Sequence, residues 1–169
     1  MSTRSYIIAR VPKHMIGTTI QFDAKKLPVK VGEKDYSKPR PYPVIEREAA
    51  PREPIKLEHE YIGIYHHHDG YVEGLGATLL KDYTTLDAVL NLIAGGDCSS
   101  CLEHYMGWAE YGNNTADMLP VQSDEPMPDE EYSYLFDNGK WVYYSMEYDR
   151  MKRPHDLKAA VKRIEKKRK

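Results

Sequence analysis

The segment EYSYLFDNGKWVYYSME, residues 131–147, constrains the fold of this chain more than any other. Asn138-Gly139 accepts the two positive φ angles of a two-residue hairpin turn whose twist matches that of the flanking strands. The runs on either side are rich in tyrosine and other aromatic residues. The pattern therefore predicts an antiparallel hairpin through Asp137-Asn138-Gly139-Lys140 in the C-terminal half of the chain. A hairpin alone is at best marginally stable in water, so it needs more strands and a covering layer.

Those partners are legible elsewhere. SYIIARV (5–11) is a short apolar run ended by Pro12 and reads as the first strand of a sheet. HEYIGIYHHH (59–68) reads as a central strand, with Tyr61, Gly63, Tyr65 and His67 on one face and Ile62, Ile64, His66 and His68 on the other. LGATLLKDY (75–83) and TLDAVLNLIAGG (85–96) read as helices. In the second of these, Thr84 or Thr85 caps the start and Leu86, Val89, Leu90 and Ile93 recur at helical spacing. Gly95-Gly96 offers a left-handed exit. At the C-terminus, 155–169 reads as a basic amphipathic helix with Leu157, Ala160, Val161 and Ile164 on its apolar stripe. The expectation is a single α+β domain over 1–169, mainly antiparallel, with two to three helices packed on the sheet.

Two stretches resist regular structure. Prolines at 28, 39, 41, 43, 51 and 54 remove amide donors and favour extended backbone, so 28–54 reads as an irregular arm on the surface. A solvated linker and a partner-binding extension, with PRPYP as a preformed ligand, both stay open for it. The acidic, proline-containing stretch 119–131 reads as a mobile loop.

Lys and Arg total 24 against 26 Asp and Glu, a formal charge of -2, so any contact with nucleic acid must come from a local patch. No run approaches the length of a membrane span, and MSTRSYIIARVPK lacks the apolar region of a signal peptide. The two cysteines, Cys98 and Cys101, are too few for a disulfide framework and read as free thiols. Together these place the protein in the cytosol.

Chemistry concentrates in YHHHDGYVEGLG, residues 65–76. On a strand, His66 and His68 share a face and offer two imidazoles to one zinc, and CSSCLEH adds Cys98, Cys101 and His104 as further weak metal candidates. Without a third ligand of the first set or a second pair for the other, no metal or other cofactor is assigned. The glycines at 70, 74 and 76 precede a helix, but their spacing is not that of a phosphate-binding loop, and Asp69 and Glu73 add negative charge. Gly70 reads as part of a tight turn, and Gly74 and Gly76 as backbone positions where a side chain would clash. His67 and Asp69 are the candidate acid–base pair, set by strand alternation beside Tyr65 and Tyr71. The same four residues equally make a polar network that holds a loop.

MSTRS followed by a strand, YIGIYHHHDGYVEGLGATLLKDY, and LDAVLNLIAGGDCSS resemble a family of small uncharacterised proteins of phages, prophages and other mobile elements. That family opens with Ser-Thr-Arg-Ser and has a Tyr-x-His-Trp-Asp-Gly-Tyr core, a glycine-containing loop and a Leu-Gly-Asp-x-Ser-Ser segment. His67, Asp69, Gly70, Tyr71, Gly74, Gly76, Asp97, Ser99 and Ser100 fall on its pattern. His68 stands where tryptophan is usual, His66 at a variable position, and Cys98 and Cys101 where aliphatic residues are usual. The resemblance implies a biological setting rather than a reaction.

Fourteen tyrosines, clustered in 61–83 and 132–148, add recognition surface. The leading expectation is a phage or mobile-element accessory protein that binds a host protein or protein–nucleic-acid complex, inhibiting a host defence system. Its binding residues are then Tyr65, His67, Asp69, Gly70, Tyr71, Gly74 and Gly76. One alternative is a hydrolase or nuclease acting on a nucleotide or phosphodiester through His67 and Asp69. The other is a nucleic-acid or small-anion binding module using the glycine loop or the basic C-terminal helix.

Overall fold

A computed structural model describes residues 3–23, 26, 53–66, 70–95, 120–126 and 130–169. Eight strands are present: β1 (Ser5–Arg10), β2 (Thr19–Ile20), β3 (Ile55–Lys56), β4 (Tyr61–His66), β5 (Val121–Ser123), β6 (Tyr132–Asp137), β7 (Lys140–Ser145) and β8 (His155–Asp156). The helices are α1 (Ala77–Asp82), α2 (Leu86–Ala94), the single turn α3 (Met146–Asp149) and α4 (Leu157–Lys167). A wide turn of π type, Val72–Gly76, leads into α1.

Six strands form one sheet in the order β5-β4-β1-β6-β7-β8, and β2 and β3 form a separate ribbon. β1 lies inside the sheet, antiparallel to β4 and parallel to β6, with Ser5 opposite both His66 and Tyr132. All other pairings are antiparallel. The β6–β7 hairpin turns through Asn138 and Gly139, at φ 50° and 79°.

Alternation along each strand divides the sheet into two faces. The inner face presents Ile7, Ile62, Ile64, Tyr134 and Trp141 to Leu79, Val89, Leu92, Ile93 and Leu157 from the helices, and these form the main core. The outer face gathers Ile8, Tyr61 and Leu135, flanked by Tyr6, Val142 and Tyr144. Each fully buried aliphatic or aromatic side chain contributes about 1.5–3 kcal/mol. Among the described residues no helix is long and apolar enough to cross a membrane.

Caps define the helix starts. Thr85 accepts from the Ala88 amide at 3.2 Å and Asp156 from the Ala159 amide at 2.8 Å. Two expectations need amendment. Gly95 ends α2 with φ -65°, so it is right-handed, and the Asn91 and Ile93 carbonyls both accept its amide; Gly96 lies outside the described residues. The stretch 119–131 contains a strand, β5, held by contacts distant in sequence. Gln122 accepts from the Glu58 and His59 amides at 2.8 and 3.3 Å and donates to the Lys56 carbonyl at 2.9 Å. The face of α2 opposite its apolar stripe is also closed: Asn91 is buried and exchanges two hydrogen bonds with the Asp23 backbone, at 2.9 and 3.0 Å. The proline-rich arm 28–54 lies outside the described residues except at its end.

At one end of β1, Ser5 is wholly buried, and its hydroxyl has no hydrogen-bond partner among the described residues. Gly70 lies against it: a Cβ there would sit 2.7 Å from both Ser5 Oγ and the Thr3 carbonyl. The Thr3 carbonyl also accepts from the Gly70 amide at 3.0 Å, so this approach fastens the start of β1 to the glycine turn. Gly70→Ala is expected to destabilise the fold by about 1–3 kcal/mol, the cost of forcing a methyl group into a closed contact. Ser5→Ala, by contrast, is expected to raise stability by about 1 kcal/mol, since it removes an unsatisfied buried hydroxyl. Urea denaturation of the two variants checks both signs.

Candidate binding cleft

The inner face of the sheet is not covered along its whole length. Past the ends of β6 and β7, the π turn, α3, β8 and α4 surround a cleft of about 720 Å³. Small-molecule sites occupy about 300–1,000 Å³. Four tyrosines line it from four elements: Tyr71 from the glycine turn, Tyr132 from β6, Tyr143 from β7 and Tyr148 from α3.

The glycine turn is seated by close backbone approach. The Tyr134 hydroxyl, buried in the core, donates to the Gly70 carbonyl at 2.7 Å. A Cβ on Gly76 would meet Leu157 Cδ1 and Tyr134 Cε1, each at 3.1 Å. Val72 and Leu75 then point into the core and leave Tyr71 and Glu73 at the cleft.

The opposite wall depends on a sharp return after α3. Ser145 caps that turn by accepting from the Tyr148 amide at 3.3 Å. Two consecutive non-glycine residues then adopt left-handed backbone, Arg150 at φ 55° and Met151 at φ 64°. Each costs about 1 kcal/mol or more and persists where surrounding bonds demand it. Here the Arg150 amide donates to the Met146 carbonyl at 3.2 Å and the Met151 amide to the Ser145 carbonyl at 3.1 Å. The return brings β8 alongside β7, with His155 opposite Tyr143.

Asp149 organises this wall. Its carboxylate accepts from the Lys152 amide at 3.2 Å, lies 3.1 Å from His155 Nε2 and 3.5 Å from Arg153 Nε, and is only 15% exposed. The His155 ring lies between Tyr143 and Tyr148, with centroid separations of 5.4 and 6.4 Å. With Nε2 donating to Asp149, Nδ1 is the free acceptor of a neutral ring or a second donor of a charged one.

α4 contributes Ala160, Arg163, Ile164 and Lys167 to the lining, at the i, i+3, i+4, i+7 spacing of one helix face. Arg163 and Lys167 form no ion pair among the described residues, and neither do Glu73 and Glu147. The tyrosines feel both groups. Burial, then Glu147, Tyr148 and Glu73, push the Tyr132 phenol up to about 12. Burial also raises Tyr143, with Arg163 opposing the rise. The cleft is therefore dipolar, with carboxylates around Tyr132 and cations on α4.

The residues singled out by sequence divide between two sides of the sheet. Tyr71 lines the cleft, while Gly70 and Gly76 seat the turn that carries it; Gly74 accepts from the Thr78 hydroxyl at 3.3 Å. Tyr65 is on the outer face, edge-on to Tyr6 at 6.3 Å, whereas Tyr71 lines the cleft, so the two do not share a site. His66 is buried on the inner face. His67, His68, Asp69, Asp97, Cys98, Ser99, Ser100, Cys101 and His104 lie outside the described residues. Sequence reading missed Asp149, Arg153, His155 and the cleft-facing cations of α4. The tyrosine cluster 132–148 and the basic stripe of α4 point to the region, but only the return after α3 brings them together. Comparisons with protein-family models, characterised proteins and solved structures found no match.

Raised phenol values make the fold sensitive to alkali. A tyrosine whose folded value exceeds its unfolded value of 10.0 keeps its proton in the native state while the unfolded chain releases it. The contribution of these tyrosines to stability is therefore expected to be level below pH 10 and to be lost as pH rises from about 10 towards 12. Tyr132→Phe is expected to make that loss smaller in denaturation curves taken across this range.

Proposed function

We propose that this chain is a binding protein, an accessory product of a phage or mobile element, that recognises a host macromolecule and thereby inhibits a host defence system. The observation that carries the binding reading is the convergence of Tyr71, Tyr132, Tyr143 and Tyr148 on one cleft. Tyrosine supplies large contact area at small entropic cost, with a hydroxyl for hydrogen bonding. Of the four, Tyr148 and Tyr71 are exposed to solvent, at 67% and 37%. The biological setting rests on the resemblance of the glycine-turn motif to mobile-element proteins.

A hydrolytic reading, on a nucleotide or phosphodiester, draws on a separate observation. Asp149 holds His155 beside two phenols, an arrangement suited to general acid–base chemistry. Binding is preferred because no serine, threonine or cysteine lines the cleft as a nucleophile among the described residues.

Tyr148 and Tyr71 are exposed enough to be replaced without loss of core. Affinity capture from host lysate is expected to retain a host component on the parent protein and to lose it on Tyr148→Ala and Tyr71→Ala, with thermal melting unchanged. Retention of every captured component by both variants would overturn the use of this cleft. Under the hydrolytic reading, His155→Gln abolishes turnover of a nucleotide substrate; under the binding reading the parent protein shows no turnover to lose.

A further inference from the structure

The cleft presents three kinds of group in fixed relation. Aromatic faces come from the exposed Tyr148 and Tyr71, while Tyr143 is buried against the imidazole of His155. Two cations, Arg163 and Lys167, sit one helical turn apart on the cleft-facing side of α4 and form no ion pair among the described residues. Two carboxylates, Glu73 and Glu147, belong to the wall around Tyr132 and likewise form none among the described residues. Asp149 faces the cleft as well, but the Lys152 amide, Arg153 and His155 already engage its charge.

We propose that the group this cleft takes is a nucleoside phosphate. The inference rests on the reading of the cleft as the binding site and names its ligand chemistry. A planar base stacks on tyrosine faces irrespective of its hydrogen-bonding edge. A phosphate draws on Arg163 and Lys167. Ribose hydroxyls and exocyclic amines are donors, and Glu73 and Glu147 are acceptors. Other chemistries leave part of the cleft unserved. An acidic peptide would face like charge at Glu73 and Glu147, and an apolar ligand would strip water from both charged walls without replacing it. A free nucleotide and a nucleotide unit of a single strand share this chemistry.

The test uses the full chain in isothermal titration with the four ribonucleoside 5′-monophosphates, their parent nucleosides, inorganic phosphate and a single-stranded oligonucleotide. At least one mononucleotide is expected to bind, with its nucleoside and inorganic phosphate each weaker by about tenfold or more, the size of one lost stacking or phosphate contact. Lys167→Gln is expected to erase the advantage of nucleotide over nucleoside, and Tyr148→Ala the advantage over inorganic phosphate. An oligonucleotide that binds tighter than any mononucleotide, with affinity falling steeply in salt, identifies a strand as the source; equal or weaker binding identifies the free nucleotide.

The proposal is overturned if no mononucleotide or oligonucleotide binds the folded protein at millimolar concentration. It is also overturned if both variants bind nucleotide as the parent does. Host capture that depends on Tyr148 while nucleotides fail to bind overturns this ligand class alone. Nucleotide binding with host capture indifferent to Tyr148→Ala overturns the host-recognition reading alone.

Discussion

The Tyr134 hydroxyl, donating to the Gly70 carbonyl from inside the core, is the contact on which the remaining architecture depends. Burial holds that phenol far above its ordinary value, so it stays a donor wherever the fold is stable. A buried hydroxyl requires a partner, and here the partner is the backbone of the glycine turn. The bond thus joins β6 to the segment leading into α1. Gly76 lets the same ring, together with Leu157 of α4, press against the turn. Sheet, turn and C-terminal helix meet at one residue, and the cleft is the space left beside that junction.

The other wall has a different physical basis. It is made by a local conformation that most residues avoid, two successive left-handed positions at Arg150 and Met151, and is kept by backbone hydrogen bonds back to Met146 and Ser145. Strain of this kind clusters where geometry is under functional constraint. Its consequence is that Asp149 and His155, six residues apart, become neighbours while Tyr148 stays exposed. α4 then closes the cleft with charged residues on the stripe next to its buried one. Leu157, Ala160 and Val161 anchor it in the core, so the basic helix is a structural wall as much as a charged surface.

Much of the fold was legible because its signals are local. The hairpin, β1, α2 and α4 each carry their own periodicity, turn residues or cap, and a strand or helix of that kind forms wherever it finds a partner layer. β5 was not legible: three residues carry no periodicity, and its place at the sheet edge comes from pairing with β4 and from Gln122 bonding to a turn some 60 residues earlier. The same limit applies to Tyr65 and Tyr71. Tyr65 packs on Tyr6 at the outer face while Tyr71 lines the cleft, a division set by tertiary packing.

The amino-acid pattern by itself determined that this chain forms an α+β domain around a tyrosine-rich hairpin, and that its glycine turn makes close backbone contacts. Those properties follow from short-range sterics and from periodicities of two and of about 3.6 residues. Tertiary structure alone decided which tyrosines share a cleft, which carboxylate holds His155, and which side of the basic helix faces them. Each of these relations joins residues through packing and register, and no local spacing in the sequence encodes the distance between two elements once they fold against each other.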